Sequence, residues 1–213
     1  FANAYKDSDK IIEISKQTAD DIMSFFGAKA EKIEIIYQSC DKIFYNSPSL
    51  EQRSQIKQKY SLPEKFILSV GTMEERKNLE TIVKALPEIP QEISLVAIGR
   101  ATPYLQKVTA TAKELGVSAR IKYIHNASFG DFPAIYKQAV ALIYVSIFEG
   151  FGLPVLEGIT AGVPVITSNI SSMPEAGGDG AILVDPHNAK EIAGNIRELY
   201  NSSSLTNDLI KRG

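Results

Sequence analysis

Short runs of β-branched and aromatic residues alternate along this chain with longer stretches of helical periodicity, and few architectures accommodate that rhythm. The runs cover residues 10–14, 32–37, 66–70, 93–98, 121–124, 140–145, 163–167 and 181–184. Several, such as ISLVAI and VALIYV, are apolar nearly throughout, as strands buried on both faces are. Residues 18–26, 79–86, 104–115, 132–138, 155–161 and 189–200 instead space their apolar positions for helices. Strand and helix in steady alternation predict an α/β fold: a Rossmann-like parallel sheet with helices on both faces. The tail NSSSLTNDLIKRG reads as a weak helix.

The rhythm breaks between Asp41 and Pro63. The segment NSPSLEQRSQIKQKY is polar and holds no strand; Pro48 and Ser49 mark a helix start, and Pro63 closes the stretch. Residues 42–213 are expected to form one complete Rossmann-like unit, and residues 1–41 the last strand and helix of a different one. Phe1 in place of Met and Gly213 at the end read as cuts in a longer protein.

Composition excludes several classes. The 213 residues carry a net charge of −2, without the basic excess of a nucleic-acid binder. One cysteine, Cys40, allows no internal disulfide, which suits a reducing, cytoplasmic compartment. Only His125 and His187 could join it at a structural zinc site, so no metal is expected. No apolar run approaches the length of a membrane span.

In an open α/β sheet, ligands bind beyond the carboxyl ends of the strands, so the residues just after each run are the candidates. In VGTMEERKN, Gly71 permits a tight strand exit, and Arg76 and Lys77 precede a helix that Asn78 would cap. Two cations at the positive end of a helix make sense if a phosphate sits opposite them; alternatively they bridge to Glu74, Glu75 or Glu80. In YVSIFEGFGLPVLEG, Gly150 and Gly152 leave backbone N–H groups free to face an anion, and Pro154 suits the first turn of a helix. Glu149 and Glu157 would be repelled by phosphate, so they are expected to accept from sugar hydroxyls on either side of it, unless they only complement the helix terminus. Arg100 and His125 also leave strand ends, although a surface arginine and a structural histidine are the plainer readings. Glu175, in the rim loop SNISSMPEAGGDG, reads as the start of a short helix. There is no nucleophile elbow, no P-loop and no G-x-G-x-x-G after the first strand.

Taken in order, GTMEERKN, EGFGLPVLE, AGVPVIT, SSMPE and GAILVDP resemble the motifs of the GT-B glycosyltransferases of retaining family 4. The resemblance covers nearly the whole chain and implies the C-terminal, donor-binding half of a GT-B fold with a remnant of the N-terminal domain. It departs at Gln38 and Ser39, where the family often has glycine and asparagine, in the link between domains. By position, it implies that Arg76 and Lys77 hold the donor diphosphate and help the leaving group depart. Glu149 would contact the transferred sugar and Glu157 the ribose hydroxyls. The amides of Gly150, Phe151, Gly152 and Leu153 would bind sugar and phosphate, with Gly71 and His125 lining the donor site.

The resemblance further implies a nucleotide-diphospho-sugar substrate, GDP-mannose or a UDP-sugar, and no metal or other cofactor. The acceptor, a glycan or lipid-linked glycan, would be held by the N-terminal domain, with the full-length protein at the inner face of the membrane. The chain alone would then bind donor without transferring it. The competing readings are a glycan phosphorylase or sugar-nucleotide epimerase of similar fold, and a non-catalytic Rossmann-like module binding nucleotide or protein.

Overall fold

The computed structural model describes Tyr5 and residues 7–213; residues 1–4 and 6, at the head of the expected first unit, lie outside that description. Two sheets are present. The first pairs β1 (Ile11–Glu13) with β2 (Ile33–Ile35) in parallel, joined through helix α1 (Lys16–Phe26). Ser15 and Thr18 start α1 with a reciprocal capping box, and left-handed Gly27 ends it. Both strands are shorter than the apolar runs that encode them. They are also not buried on both faces: Ile12 and Ile35 are exposed.

The second sheet has six strands: β3 (Lys65–Val70), β4 (Ile93–Ile98), β5 (Ile121–Ile124), β6 (Ala141–Tyr144), β7 (Val165–Ser168) and β8 (Ala181–Val184). Their spatial order is β5-β4-β3-β6-β7-β8, and every neighbouring pair is parallel. Parallel neighbours need crossovers, which the helices supply. The crossovers are α3 (Leu79–Ala85), α4 (Tyr104–Glu114), α5 (Phe132–Tyr136), α6 (Leu153–Thr160) and α7 (Met173–Gly177), while α2 (Leu50–Tyr60) precedes β3, and α8 (Ala189–Asn201) and α9 (Ser203–Arg212) follow β8. The polar helix α2 begins where Pro48 and Ser49 predict, with a capping box between Ser49 and Gln52. The tail helix α9 is capped by Ser202 and buries Leu209.

Alternation along each strand divides the core into two layers. Ile67, Leu95, Ala97 and Ile143 face a cluster with residues of α3, α4 and α8. Phe66, Leu68, Val96, Leu142 and Val165 face the other cluster, with residues of α5, α6 and α7. Phe44 belongs to this second cluster, and Ile14 and Cys40, from the segment before residue 42, pack against it. Gly158 lets α6 lie directly on the sheet: a Cβ there would come within 2.9 Å of Leu142 and Val165 side-chain atoms.

Strand order reverses between β3 and β6, where successive crossovers leave in opposite directions. That divergence opens a crevice at the carboxyl ends of the two strands.

A polar cleft at the switch point

The segments leaving β3 and β6 meet in this crevice. After β3 the backbone turns at Gly71 (φ 134°) and passes close to Gly99 (φ 156°). A Cβ on Gly99 would lie 1.9 Å from the Gly71 carbonyl oxygen, so the two strand exits fit only as glycines. A short 3₁₀ turn over Glu75–Lys77 then carries Arg76 and Lys77 toward the loop after β6, where the Ile147 amide donates to the Arg76 carbonyl.

Asn78 stands at the N-cap of α3 in left-handed conformation, yet its side chain caps no helix amide. Its Nδ2 donates to the carbonyls of Val145 and Pro186, and its Oδ1 accepts from the Thr81 hydroxyl. The capping role expected of Asn78 is thus replaced by a buried tie between three segments, because unsatisfied carbonyls lie within its reach.

Arg76 and Lys77 are not an unpaired cation pair. The Glu149 carboxylate lies between them, with Oε2 2.7 Å from Arg76 Nη1 and Oε1 2.5 Å from Lys77 Nζ. Arg76 also meets Glu74 at 3.4 Å, whereas Lys77 contacts none of the carboxylates proposed as bridging partners. Tyr144 completes the group: its hydroxyl accepts from Lys77 Nζ and donates to Glu149 Oε1 at 3.1 Å. Burial alone would raise the Glu149 carboxyl, but the hydrogen bonds and charges of Lys77 and Arg76 outweigh it and hold the group below the usual carboxylate range. Burial pulls the Lys77 ammonium down, against the pull of Glu149. Burial, reinforced by the Glu149 charge, pushes Tyr144 far up, so it stays a hydroxyl donor.

Beyond Glu149 the chain runs through Gly150, Phe151 and Gly152 into α6. Among the described residues, none of the amides of Gly150, Phe151, Gly152 and Leu153 donates to a protein acceptor. Gly152 (φ 114°) is left-handed, and Pro154 has no N–H to leave unsatisfied. Two serines hold the turn in place. Ser171 Oγ accepts from the Glu149 amide and donates to its carbonyl, while Ser172 Oγ lies 2.9 and 3.0 Å from the carbonyls of Glu149 and Phe151. These four residues line a cleft of about 280 Å³ together with Lys77, Tyr144, Glu149 and Pro154. Ile14 and Gln38, from the segment before residue 42, form its remaining wall.

Other candidates lie apart. Glu157 does not line this cleft; it sits on α6 with Oε2 accepting from the buried Tyr136 hydroxyl at 2.6 Å. Its Oε1 has no protein donor among the described residues, and burial raises its carboxyl despite the Tyr136 bond. Gly71 packs against the Lys77 side chain at a small neighbouring recess. His125 is exposed in a separate open cleft with Lys59, Tyr60 and Asn126, and its Nδ1–H donates to the Gly99 carbonyl at 2.9 Å. Arg100 is exposed and lines none of these clefts. Glu175 lies in α7 as expected of a short helix, but its carboxylate reaches the N-terminus of α1. It accepts from the amides of Lys16 (2.7 Å) and Gln17 (2.9 Å) and from the Tyr37 hydroxyl.

Tyr144, Tyr136, Ser171, Ser172 and Ile14 are not among the residues expected at these sites, and Gln38, expected in the link and away from the donor site, lines the cleft instead. For Tyr144 a signal existed: a hydroxyl-bearing aromatic at the last position of a strand otherwise built of aliphatics.

The sequence model of the family described as glycosyl transferases group 1 matches residues 51–213. The chain is 30% identical over 209 residues to O-antigen chain mannosyltransferase B of Escherichia coli, covering 95% of this chain and 54% of that protein. It is 28% identical over 205 residues to O-antigen chain mannosyltransferase RfbU of Salmonella typhimurium, covering 95% and 55%. The chain therefore spans about half the length of these curated relatives. Among solved structures it superposes on Anabaena HepE in complex with UDP and glucose with a TM-score of 0.87 at 21% identity, over 98% of this chain and 58% of that one. WaaG, a glycosyltransferase involved in lipopolysaccharide biosynthesis, gives a TM-score of 0.83 at 20% identity, over 95% and 56%. At such identities the structural matches establish the fold.

Proposed function

The chain belongs to the glycosyl transferases group 1 family, and from that premise we propose that it is the nucleotide-sugar-binding half of a retaining hexosyltransferase of family 4. One observation carries the reading: Lys77 and the four free amides of Gly150–Leu153 belong to one cleft at the β3/β6 switch point, and Arg76 stands beside it on the Glu149 carboxylate that lines it. Two cations and an unsatisfied helix N-terminus suit a diphosphate, and they can stabilise the charge that develops as it leaves. Glu149, beside them, would accept from hydroxyls of the transferred sugar, and Glu157 Oε1 would accept from the ribose. Residues near His125 would face the base.

HepE, of the same fold, is described in complex with UDP and glucose, which supports a nucleotide-sugar donor. The mannosyltransferase relatives favour a GDP-mannose donor and a growing surface polysaccharide or lipid-linked glycan as acceptor. In this reading residues 1–41 close an acceptor domain, the longer protein works at the cytoplasmic face of the membrane, and the chain alone binds donor without transferring it. Among the described residues no helix is long and apolar enough to cross a membrane.

Calorimetric titration of the chain with GDP, UDP and ADP tests the reading. Saturable binding of one of them, weakened on the order of tenfold or more by Arg76→Ala as loss of a charge-assisted contact requires, is the expected result. Binding indifferent to Arg76→Ala would place the diphosphate elsewhere and refute it.

A further inference from the structure

Glu149 is the carboxylate nearest the anion-binding elements, and its partners are the groups an incoming diphosphate would claim. It takes three donors: Arg76 Nη1, Lys77 Nζ and the Tyr144 hydroxyl. Its side chain is only 9% exposed, against 41% for Arg76, so its charge is met by these donors more than by water. We propose that Glu149 is an exchangeable counter-ion that makes the cleft favour an intact nucleotide-sugar over the nucleoside diphosphate left after transfer. This rests on the function proposed above.

A diphosphate outcompetes a single carboxylate for Arg76 and Lys77 through its greater charge and number of acceptor oxygens. Glu149 is then left with the Tyr144 hydroxyl, in a largely buried position beside an anion. The nearby Ser171 hydroxyl cannot help, since it is already committed to the Glu149 backbone on both its donor and acceptor sides. What fills the two vacated places decides the balance. A sugar carries hydroxyl donors, so an intact donor satisfies Glu149 as it takes its cations. A free diphosphate ends in oxygens that only accept and leaves the carboxylate unpaired and repelled. In the empty cleft Glu149 keeps Arg76 and Lys77 in position; after transfer it reclaims them and expels the product.

The test is calorimetry without acceptor, using GDP with GDP-mannose and UDP with UDP-glucose, on the unmodified chain, Glu149→Gln, Glu149→Asp and Glu74→Gln. Glu149→Gln should bind the free diphosphate roughly tenfold tighter, the scale on which a close charge shifts an equilibrium, and should lose the preference for the sugar-bearing ligand. Glu149→Asp keeps the charge and should keep the preference. Glu74→Gln removes the more exposed carboxylate near Arg76 and should move both ligands alike and by less. The proposal is overturned if Glu149→Gln, folded by circular dichroism, binds the free diphosphate no tighter, or keeps the preference, while the unmodified chain binds. If neither the unmodified chain nor Glu149→Gln binds any of the four ligands, the functional reading itself fails, and this proposal with it.

Discussion

Glu149 and Glu157 stand eight positions apart, and their surroundings drive them in opposite directions. Burial would raise Glu149, but Lys77 and Arg76 hold it below the ordinary value of 4.5. The stabilisation this brings is complete above 4.5 and is lost as pH falls from there through the folded-state value. Burial leaves Glu157 above 4.5, with only the Tyr136 hydroxyl opposing it. Stability present below 4.5 is therefore lost as pH rises toward its folded-state value. Chemical denaturation across pH should show Glu149→Gln flattening the profile below 4.5 and Glu157→Gln flattening it above. Glu157→Gln keeps a carbonyl for the Tyr136 hydroxyl, so its melting temperature at pH 7 should be no lower than that of the unmodified chain. In the proposed reading Glu157 is a charged acceptor of ribose hydroxyls, so this variant's affinity for the bound nucleotide should fall on the order of tenfold or more. Motif order singled out Arg76, Lys77, Glu149 and Glu157, and of the bridging partners expected for the cations only Glu74 is found, beside Arg76. Tyr144 and Tyr136 meet these carboxylates only because parallel strands and crossing helices bring distant hydroxyls to them, which no local pattern encodes.

Among the elements, the strands of the large sheet were the most legible. ISLVAI coincides with β4, buried almost throughout as its apolar run predicts, and IKYI and AILV coincide with the partly buried edge strands β5 and β8. The first two runs misled by length: β1 and β2 hold three residues each, and they leave much of their apolar surface exposed. Short α7 matters beyond its size, because Ser171 and Ser172 at its start pin the glycine turn while Glu175 within it holds α1. Glu175→Gln replaces one acceptor oxygen with an amide that cannot accept from the α1 amides. Hydrogen exchange over residues 16–26 should quicken, and stability should drop by about 1–2 kcal/mol, as for a lost hydrogen bond to a charged group. Unchanged exchange there would show that α1 is held by its apolar face alone.

At the scale of the molecule, the repeating pattern announced a parallel sheet, but strand order was not legible. Nothing in β3 or β6 says that they are neighbours, although that adjacency creates the cleft between two segments about seventy residues apart in sequence. In the proposed reading the cleft meets a diphosphate with Arg76, Lys77 and a helix N-terminus, so binding should persist in excess EDTA. A loss of affinity on chelation, restored by a divalent cation, would show that these groups do not suffice.

The most direct measurement is a crystal structure of the chain with whichever nucleoside diphosphate binds in solution. The account requires the diphosphate at the switch point, in contact with Arg76 or Lys77 and with amides among Gly150–Leu153, and the Glu149 carboxylate parted from at least one cation. A nucleotide seated away from that cleft, or within it while both Glu149 ion pairs stay intact, would contradict it.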